Sequence, residues 1–125
     1  MILDTNALSA IADNEATAAR IVTQAESIEL PVIVLGEYRF GIAQSRRRNE
    51  YEKWLGELIA ATRVLPVDDE TSVHYARVRA ELKKAGRPIP SNDLWIAALS
   101  RQFRLPLMSR DQHFDDVQGV KRIGW

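Results

Sequence analysis

The chain has 125 residues, of which 46% are hydrophobic and 27% charged, a composition typical of one globular domain with a substantial core. Its 17 basic and 17 acidic residues give a formal net charge of 0, so a nucleic-acid partner would need a local basic surface. The lack of cysteine excludes disulfides, thiolate metal sites and thiol nucleophiles. No apolar run approaches the ~20 residues of a membrane span, and the chain opens on a predicted core strand, so we expect a single cytoplasmic domain over 1–125.

The first predicted element is an apolar strand that ends on a carboxylate, because Ile2 and Leu3 precede Asp4. In an α/β sheet, ligands bind in the crevice beyond the carboxyl ends of the strands. Asp4 therefore either faces that crevice or only caps the next helix, as aspartate commonly does. Helical spacing of apolar residues predicts helices over 6–12 and 15–25.

The second predicted strand covers 28–34, which is apolar and rich in β-branched residues. Glu37 lies just past its expected end, so a second acid follows a buried strand. An amphipathic helix is predicted over 51–59 and a third strand over 63–67. The acids at 68–70 then indicate the start of another helix.

That helix is predicted to end at Gly86, and Ser91 is the expected N-cap of a central apolar helix with Asp93 in its first turn. A fourth strand over 105–109 leads into a loop containing Asp111, and the last residues, 120–125, can add a fifth. Strands that alternate with helices predict an α/β fold with three α/β/α layers and a mainly parallel sheet of four to five strands.

Four acids are expected to share the crevice at one edge of this sheet, namely Asp4, Glu37, Asp93 and Asp111. Clustered carboxylates repel one another unless a cation lies among them. A hard divalent ion such as Mg²⁺ prefers oxygen ligands and often completes its shell with phosphate oxygens. The cluster therefore favours metal-assisted phosphoryl chemistry.

At these positions the sequence resembles PIN-domain ribonucleases, most closely toxins of the VapC and FitB type. The resemblance rests on four motifs in order: Ile2-Leu3-Asp4-Thr5-Asn6, Gly36-Glu37-Tyr38-Arg39-Phe40-Gly41, Asn92-Asp93-Leu94-Trp95-Ile96-Ala97-Ala98 and Ser109-Arg110-Asp111-Gln112-His113-Phe114. It implies an endoribonuclease that cleaves single-stranded or structured RNA with Mg²⁺ or Mn²⁺. It further implies a homodimer and a small cognate antitoxin that blocks the active-site groove.

Carried over residue by residue, the resemblance makes all four acids metal ligands and catalytic residues. Asp4, Glu37 and Asp93 match the firmest family positions, and Asp111 matches a more variable one. Asp115 and Asp116 follow Asp111 closely and could assist it, but after Phe114 the simpler interpretation is the start of a solvated turn. Four neighbouring polar residues either orient the carboxylates or serve only in turns and caps, namely Thr5, Asn6, Asn92 and Ser109.

Several further residues invite a functional interpretation. We expect neither histidine to be catalytic, because His74 lies in mid-helix without partners and His113, before a core phenylalanine, is more simply structural. Tyr51 and Trp54 are expected to lie in the core or in a dimer interface. The cations that could contact RNA phosphates are Arg46, Arg47, Arg48 and Lys53, for which a solvated face is the simpler interpretation, and Arg39, Arg87 and Arg110, which lie nearer the acids.

Two alternatives accompany the nuclease hypothesis. The first is a catalytically silent PIN-fold binding protein, whose output would be an antitoxin complex on operator DNA, with the antitoxin making the DNA contact. The second is a phosphatase with Asp4 as nucleophile. That chemistry requires an acid two residues later, where this chain has Asn6, so the phosphatase is disfavoured.

Overall fold

The computed structural model describes residues 1–125, which form five short strands and six α-helices. In chain order these are β1 (Ile2–Leu3), α1 (Thr5–Ala12), α2 (Ala16–Thr23), β2 (Glu29–Pro31), α3 (Val32–Ile42), α4 (Arg48–Ala61), β3 (Arg63–Leu65), α5 (Asp69–Lys84), α6 (Ser91–Phe103), β4 (Leu107–Met108) and β5 (Arg122–Ile123). A 3₁₀ helix, Gln112–Asp116, lies between β4 and β5. None of the helices combines the length and apolar character that a membrane span requires.

The strands form one sheet in the order β3-β2-β1-β4-β5, and every neighbouring pair is parallel. The predicted three-layer α/β fold with a parallel central sheet is therefore confirmed. β1 lies in the middle, fully buried, with a hydrogen bond of 2.8 Å from Ile2 N to Pro106 O. The strand order reverses at β1, and such a switch point opens a crevice at the carboxyl ends of the strands. Asp4 is the first residue beyond β1.

The second strand is shorter than predicted. The expectation that it extends to residue 34 is wrong, because β2 ends at Pro31 and α3 begins at Val32. Pro31 has φ −60° and ψ 139° and caps the helix, and the buried positions of α3 then recur at helical spacing, as with Val34 and Tyr38. Burial of this helical face outweighs the weak preference of β-branched residues for strands.

Glu37 consequently lies in the second turn of α3 and not in a loop after a strand. The placement of Ser91 as N-cap is also wrong by one residue, because Pro90 takes that position and Ser91 is already helical. The predicted start of α5 is confirmed: Asp68 accepts a hydrogen bond of 3.0 Å from Thr71 N in a capping box.

Helices α5 and α6 form an antiparallel pair that runs along the sheet. Gly86, with φ +70°, follows α5 and lets the chain turn back towards α6. The rings of Tyr75 and Trp95 stack between the two helices with centroids 4.0 Å apart. The first turn of α6, which carries Asp93, lies at the crevice beside Asp4, whereas the helix ends near Pro106, the residue that precedes β4.

Candidate active site

Asp4 is the most buried carboxylate of the crevice, with 3% of its surface exposed. Its Oδ1 accepts a hydrogen bond of 2.9 Å from Ala7 N, so Asp4 does cap α1. Its Oδ2 accepts a hydrogen bond from Ser109 Oγ. Burial raises the pKa of Asp4 to about 6, although these two hydrogen bonds oppose the shift. The side chain of Asp4 therefore caps α1 and also lies in the crevice, so both interpretations of this residue are correct.

Glu37 reaches the crevice from α3 and is half-buried. Thr5 Oγ1 donates a hydrogen bond of 3.0 Å to Glu37 Oε1. Thr5 is the residue after Asp4, so the start of α1 sets the position of both carboxylates.

Asp111 is held by a small network that also includes Asp4. Ser109 Oγ accepts a hydrogen bond of 3.0 Å from Asp111 N while donating to Asp4. Asn6 Nδ2 donates to Asp111 Oδ2 at 3.1 Å, and Asn6 Oδ1 accepts from Arg110 N at 3.1 Å. Ser109 and Asn6 therefore orient carboxylates, one of the two interpretations that the sequence left open.

Asp93 lies in the first turn of α6, where its side chain is 19% exposed. Burial raises the pKa of Asp93, His113 opposes the shift, and the charges of Asp111 and Glu37 add to it. His113 Nε2 lies 3.0 Å from Asp93 Oδ2, but its direction does not satisfy hydrogen-bond geometry. We expected His113 to be structural, and its contact with a site carboxylate was missed. The available signal was its position two residues after Asp111.

The four predicted acids line one cleft of 540 Å³, which we call the acidic cleft. Its remaining lining residues are Thr5, Asn6, Pro90, Ser91 and Asn92. One ligand atom each of Asp93, Asp111 and His113 lie within 4.8 Å of one another. Asp4 and Glu37 line the same cleft but are not part of this closely spaced group. Two carboxylates and an imidazole at this spacing, in a polar cleft with two further carboxylates, fit a divalent cation.

The two acids that follow Asp111 in the sequence, Asp115 and Asp116, form ion pairs outside the cleft. Asp115 pairs with Arg122 at 2.8 Å, and Asp116 pairs with Arg87 at 2.6 Å. Neither lines the acidic cleft.

The arginines predicted to lie near the acids also have other partners. Arg39 pairs with Glu52 at 3.6 Å, Arg110 pairs with Glu15, and Arg87 pairs with Asp116. None of the three arginines is among the residues that line the acidic cleft. The run at 46–48 is exposed, as a solvated face would be.

The aromatic residues of α4 pack against α3. The ring centroids of Tyr51 and Trp54 lie 6.4 and 6.1 Å from that of Tyr38. Both residues therefore belong to the edge of the core, which was one of the two expected locations.

Comparison with known proteins gives consistent matches over nearly the whole chain. The family model described as "PIN domain" matches residues 1–120. The VapC ribonuclease Y4jK of Sinorhizobium fredii is 35% identical over 133 aligned positions, covering 98% of this chain and 95% of that protein.

Two solved structures show the same fold. The crystal structure of VapBC-5 from Mycobacterium tuberculosis, a member of the VapBC family of toxin-antitoxin systems, has a TM-score of 0.77 and 28% identity, covering 99% of this chain and 97% of that one. VapBC2 from Rickettsia felis, bound to a DNA fragment from its promoter, has a TM-score of 0.89 at 19% identity, again covering 99% and 97%. At that identity the second likeness concerns the fold alone.

Proposed function

Because the chain belongs to the PIN-domain family, we propose that it is a divalent-metal-dependent endoribonuclease and that the acidic cleft is its active site. The observation that carries this proposal is the meeting of four carboxylates, from four separate segments, in one polar cleft at the switch point of the sheet. The ribonuclease Y4jK, which matches the chain over nearly its whole length, supports RNA as the substrate.

The donor set supports Mg²⁺ or Mn²⁺ as the ion, held by Asp4, Glu37, Asp93 and Asp111, because both ions favour carboxylate oxygens. When bound, such an ion would activate the attacking water and offset the negative charge that develops on the scissile phosphate. Removal of the ion should therefore abolish cleavage without unfolding the chain.

The protein's own contribution is to hold the carboxylates in one arrangement before substrate arrives. Ser109 fixes the orientation of Asp4, Thr5 fixes Glu37, and Asn6 fixes Asp111. Such outer partners maintain ligand geometry and typically contribute 10- to 100-fold to metal affinity or activity. Asp93 has no such hydrogen-bonded partner, although His113 Nε2 lies 3.0 Å from its Oδ2.

The direct test measures cleavage of a labelled single-stranded RNA by the purified chain, free of any partner. We expect cleavage with Mg²⁺ or Mn²⁺, none in chelator, and none from Asp4→Asn with metal. Asp116→Asn, which removes an acid outside the cleft, should leave cleavage unchanged. Cleavage that persists in chelator, or in Asp4→Asn, would contradict the proposed site, and absence of cleavage by the parent would favour the silent binding protein.

We further propose that the chain is the toxin of a toxin-antitoxin pair and acts on RNA in the cytoplasm. The likeness to VapBC-5 supports an antitoxin partner, through which any contact with operator DNA would be made. Expression of the chain alone should arrest growth, and co-expression of a small protein encoded beside it should relieve the arrest. Growth arrest by Asp4→Asn equal to that by the parent would contradict a toxin that acts by cleavage.

We also propose a homodimer, but the structure points to a different surface for its interface than α4. The aromatic residues of α4, for which we expected either the core or a dimer interface, pack against Tyr38 within the chain. Phe40 on α3 is instead 85% exposed, which supports an interface there. Sedimentation at tens of micromolar should give a dimer mass for the parent and a lower one for Phe40→Ser. A parent that sediments as a monomer would refute the dimer.

A further inference from the structure

A second cleft, of 370 Å³, is lined by five basic side chains and by no carboxylate. These residues define what we call the basic cleft: His74, Arg77, Arg101, Arg104 and Lys121. Lys121 immediately precedes β5, and Pro106, which also lines the cleft, immediately precedes β4. The basic cleft therefore lies at the amino ends of the strands, whereas the acidic cleft lies at their carboxyl ends.

The charges of the basic cleft are largely uncompensated within the chain. Arg101 donates two hydrogen bonds to Glu81, at 2.6 and 3.2 Å, which hold its guanidinium in place. Arg77, Arg104 and Lys121 are exposed and form no ion pair. In a chain of net charge 0, three unpaired cations in one concave surface create a local positive field that favours an anionic ligand.

The lining favours phosphate over the side chains of a protein partner. Leu105 is the one hydrophobic lining residue, and the core of a protein interface needs more apolar surface than that. Long basic side chains instead suit the phosphates of a nucleic-acid strand, which they contact without reading the bases.

We propose that the basic cleft is a second RNA-binding site, which holds backbone phosphates of the substrate at a distance from the acidic cleft. This inference rests on the proposed ribonuclease function. Asp93 and Arg104 lie at opposite ends of α6, 11 residues apart, which corresponds to about 16 Å along the helix axis. A helically stacked strand places one phosphate roughly every 3.4 Å, so at least about five nucleotides are needed to span the two clefts.

The test uses two variants that remove the same charge. Arg77→Gln/Lys121→Gln changes the basic cleft, whereas Arg20→Gln/Lys84→Gln removes two exposed cations that do not line it. Binding of a single-stranded RNA of about 20 nucleotides is measured with Ca²⁺ in place of Mg²⁺, at several salt concentrations. Cleavage with Mg²⁺ is measured for the same RNA and for a trinucleotide, which is too short to span both clefts.

Each phosphate contact contributes about 0.7 to the salt slope of single-strand binding. Loss of two contacts should therefore lower the slope of the basic-cleft variant by about 1.4, whereas the control variant keeps the parent's slope. The affinity advantage of the parent over the basic-cleft variant should shrink about sevenfold between 50 and 200 mM salt. On the long RNA, the kcat/KM of the basic-cleft variant should fall because its KM rises. The same variant should cleave the trinucleotide as the parent does.

Equal losses in both variants, or an equal loss on the trinucleotide, would overturn the second site and leave the nuclease intact. Binding that depends on the basic cleft, in a parent that cleaves neither RNA, would support the second site and refute the nuclease. The two proposals therefore fail in different measurements.

Discussion

The two clefts lie at opposite ends of one sheet, and they differ in how their charges are held. In the acidic cleft, hydroxyl and amide donors fix the carboxylates: Ser109 holds the buried Asp4, and Asn6 holds the exposed Asp111. In the basic cleft, Arg77, Arg104 and Lys121 are exposed and unpaired. Substitutions in the acidic cleft should therefore alter the arrangement of the carboxylates and the cleavage reaction. Substitutions in the basic cleft should alter only the local electrostatic field.

The largest expected effect is at the acidic cleft, in Asp93→Asn. Cleavage should fall by more than about 100-fold, because loss of even an outer partner of a metal ligand costs 10- to 100-fold. In chelator the variant should be as stable as the parent or more stable, because one of four mutually repelling charges is gone. Mg²⁺, which binds only the folded site, should raise its Tm less than the parent's.

The matched control is Asp116→Asn, which removes an acid that pairs with Arg87 outside the cleft. Thermal melts with and without Mg²⁺, and RNA cleavage, are measured for the parent, for Asp93→Asn and for the control. Cleavage or Mg²⁺ stabilisation by Asp93→Asn at the parent's level would show that Asp93 is only an acid in the first turn of α6 and not part of the site.

The next effect is the pH dependence of folding without metal. The pKa of Asp4 is raised from 3.8 to about 6 in the folded chain. Between these values the folded state binds a proton that the unfolded state has released, so the free energy of unfolding falls as pH rises. The loss attributable to Asp4 should be about 3 kcal/mol at most.

Denaturant unfolding in chelator at pH 4 and pH 6.5 measures this effect. The parent should lose more stability over that range than Asp4→Asn, whereas Arg77→Gln/Lys121→Gln should follow the parent. An identical pH dependence in the parent and Asp4→Asn would mean that burial does not perturb Asp4.

A smaller effect is expected from Ser109→Ala, which removes the hydroxyl that joins Asp4 to Asp111 N. Cleavage should fall about 10- to 100-fold through loss of ligand orientation. Ser100→Ala is the control, because Ser100 is also buried but donates to Leu105 O, at 2.7 Å, at the other end of the sheet. Control activity should equal the parent's once its loss of stability, about 1 kcal/mol, is allowed for. Equal activity losses in the two variants would argue against a specific role for Ser109.

The smallest effect belongs to the basic cleft, in Glu81→Gln. This change removes the negative partner of Arg101, so affinity for a 20-nucleotide RNA should rise about two- to threefold at low salt. Glu57→Gln, an exposed acid on α4, removes the same charge elsewhere and should raise affinity less. Titrations at 50 and 200 mM salt check both variants, and equal gains would assign the effect to net charge alone.

The sheet could be predicted from local apolar patterns, whereas the meeting of the acids was predicted from that fold together with the resemblance to PIN-domain ribonucleases. Each of Asp4 and Asp111 follows a short apolar strand, and Asp93 follows a proline-rich loop at the start of an apolar helix. The end of the second strand was mispredicted because Val32-Ile33-Val34 suits either state locally. Only the burial of Val34 together with Leu35 and Tyr38, on one face of α3, decides for the helix.

The basic cleft has no comparable signal in the sequence. Its cations come from separate stretches, around 74–77, 101–104 and 121, and no two of them form a run. The conspicuous run of arginines at 46–48 lies elsewhere, on a solvated face. A site assembled from scattered residues is visible only once the fold brings them together.

The junction between β2 and α3 limits how this protein can diversify. Pro31 is both the last residue of the strand and the cap of the helix, so no loop separates them. One residue inserted there would turn Glu37 by about 100° around the helix axis and carry it out of the acidic cleft. Only Asp4 separates β1 from α1, so the same holds at that junction. Insertions and deletions among homologues should therefore accumulate in the connections 43–47 and 85–90 and spare both junctions.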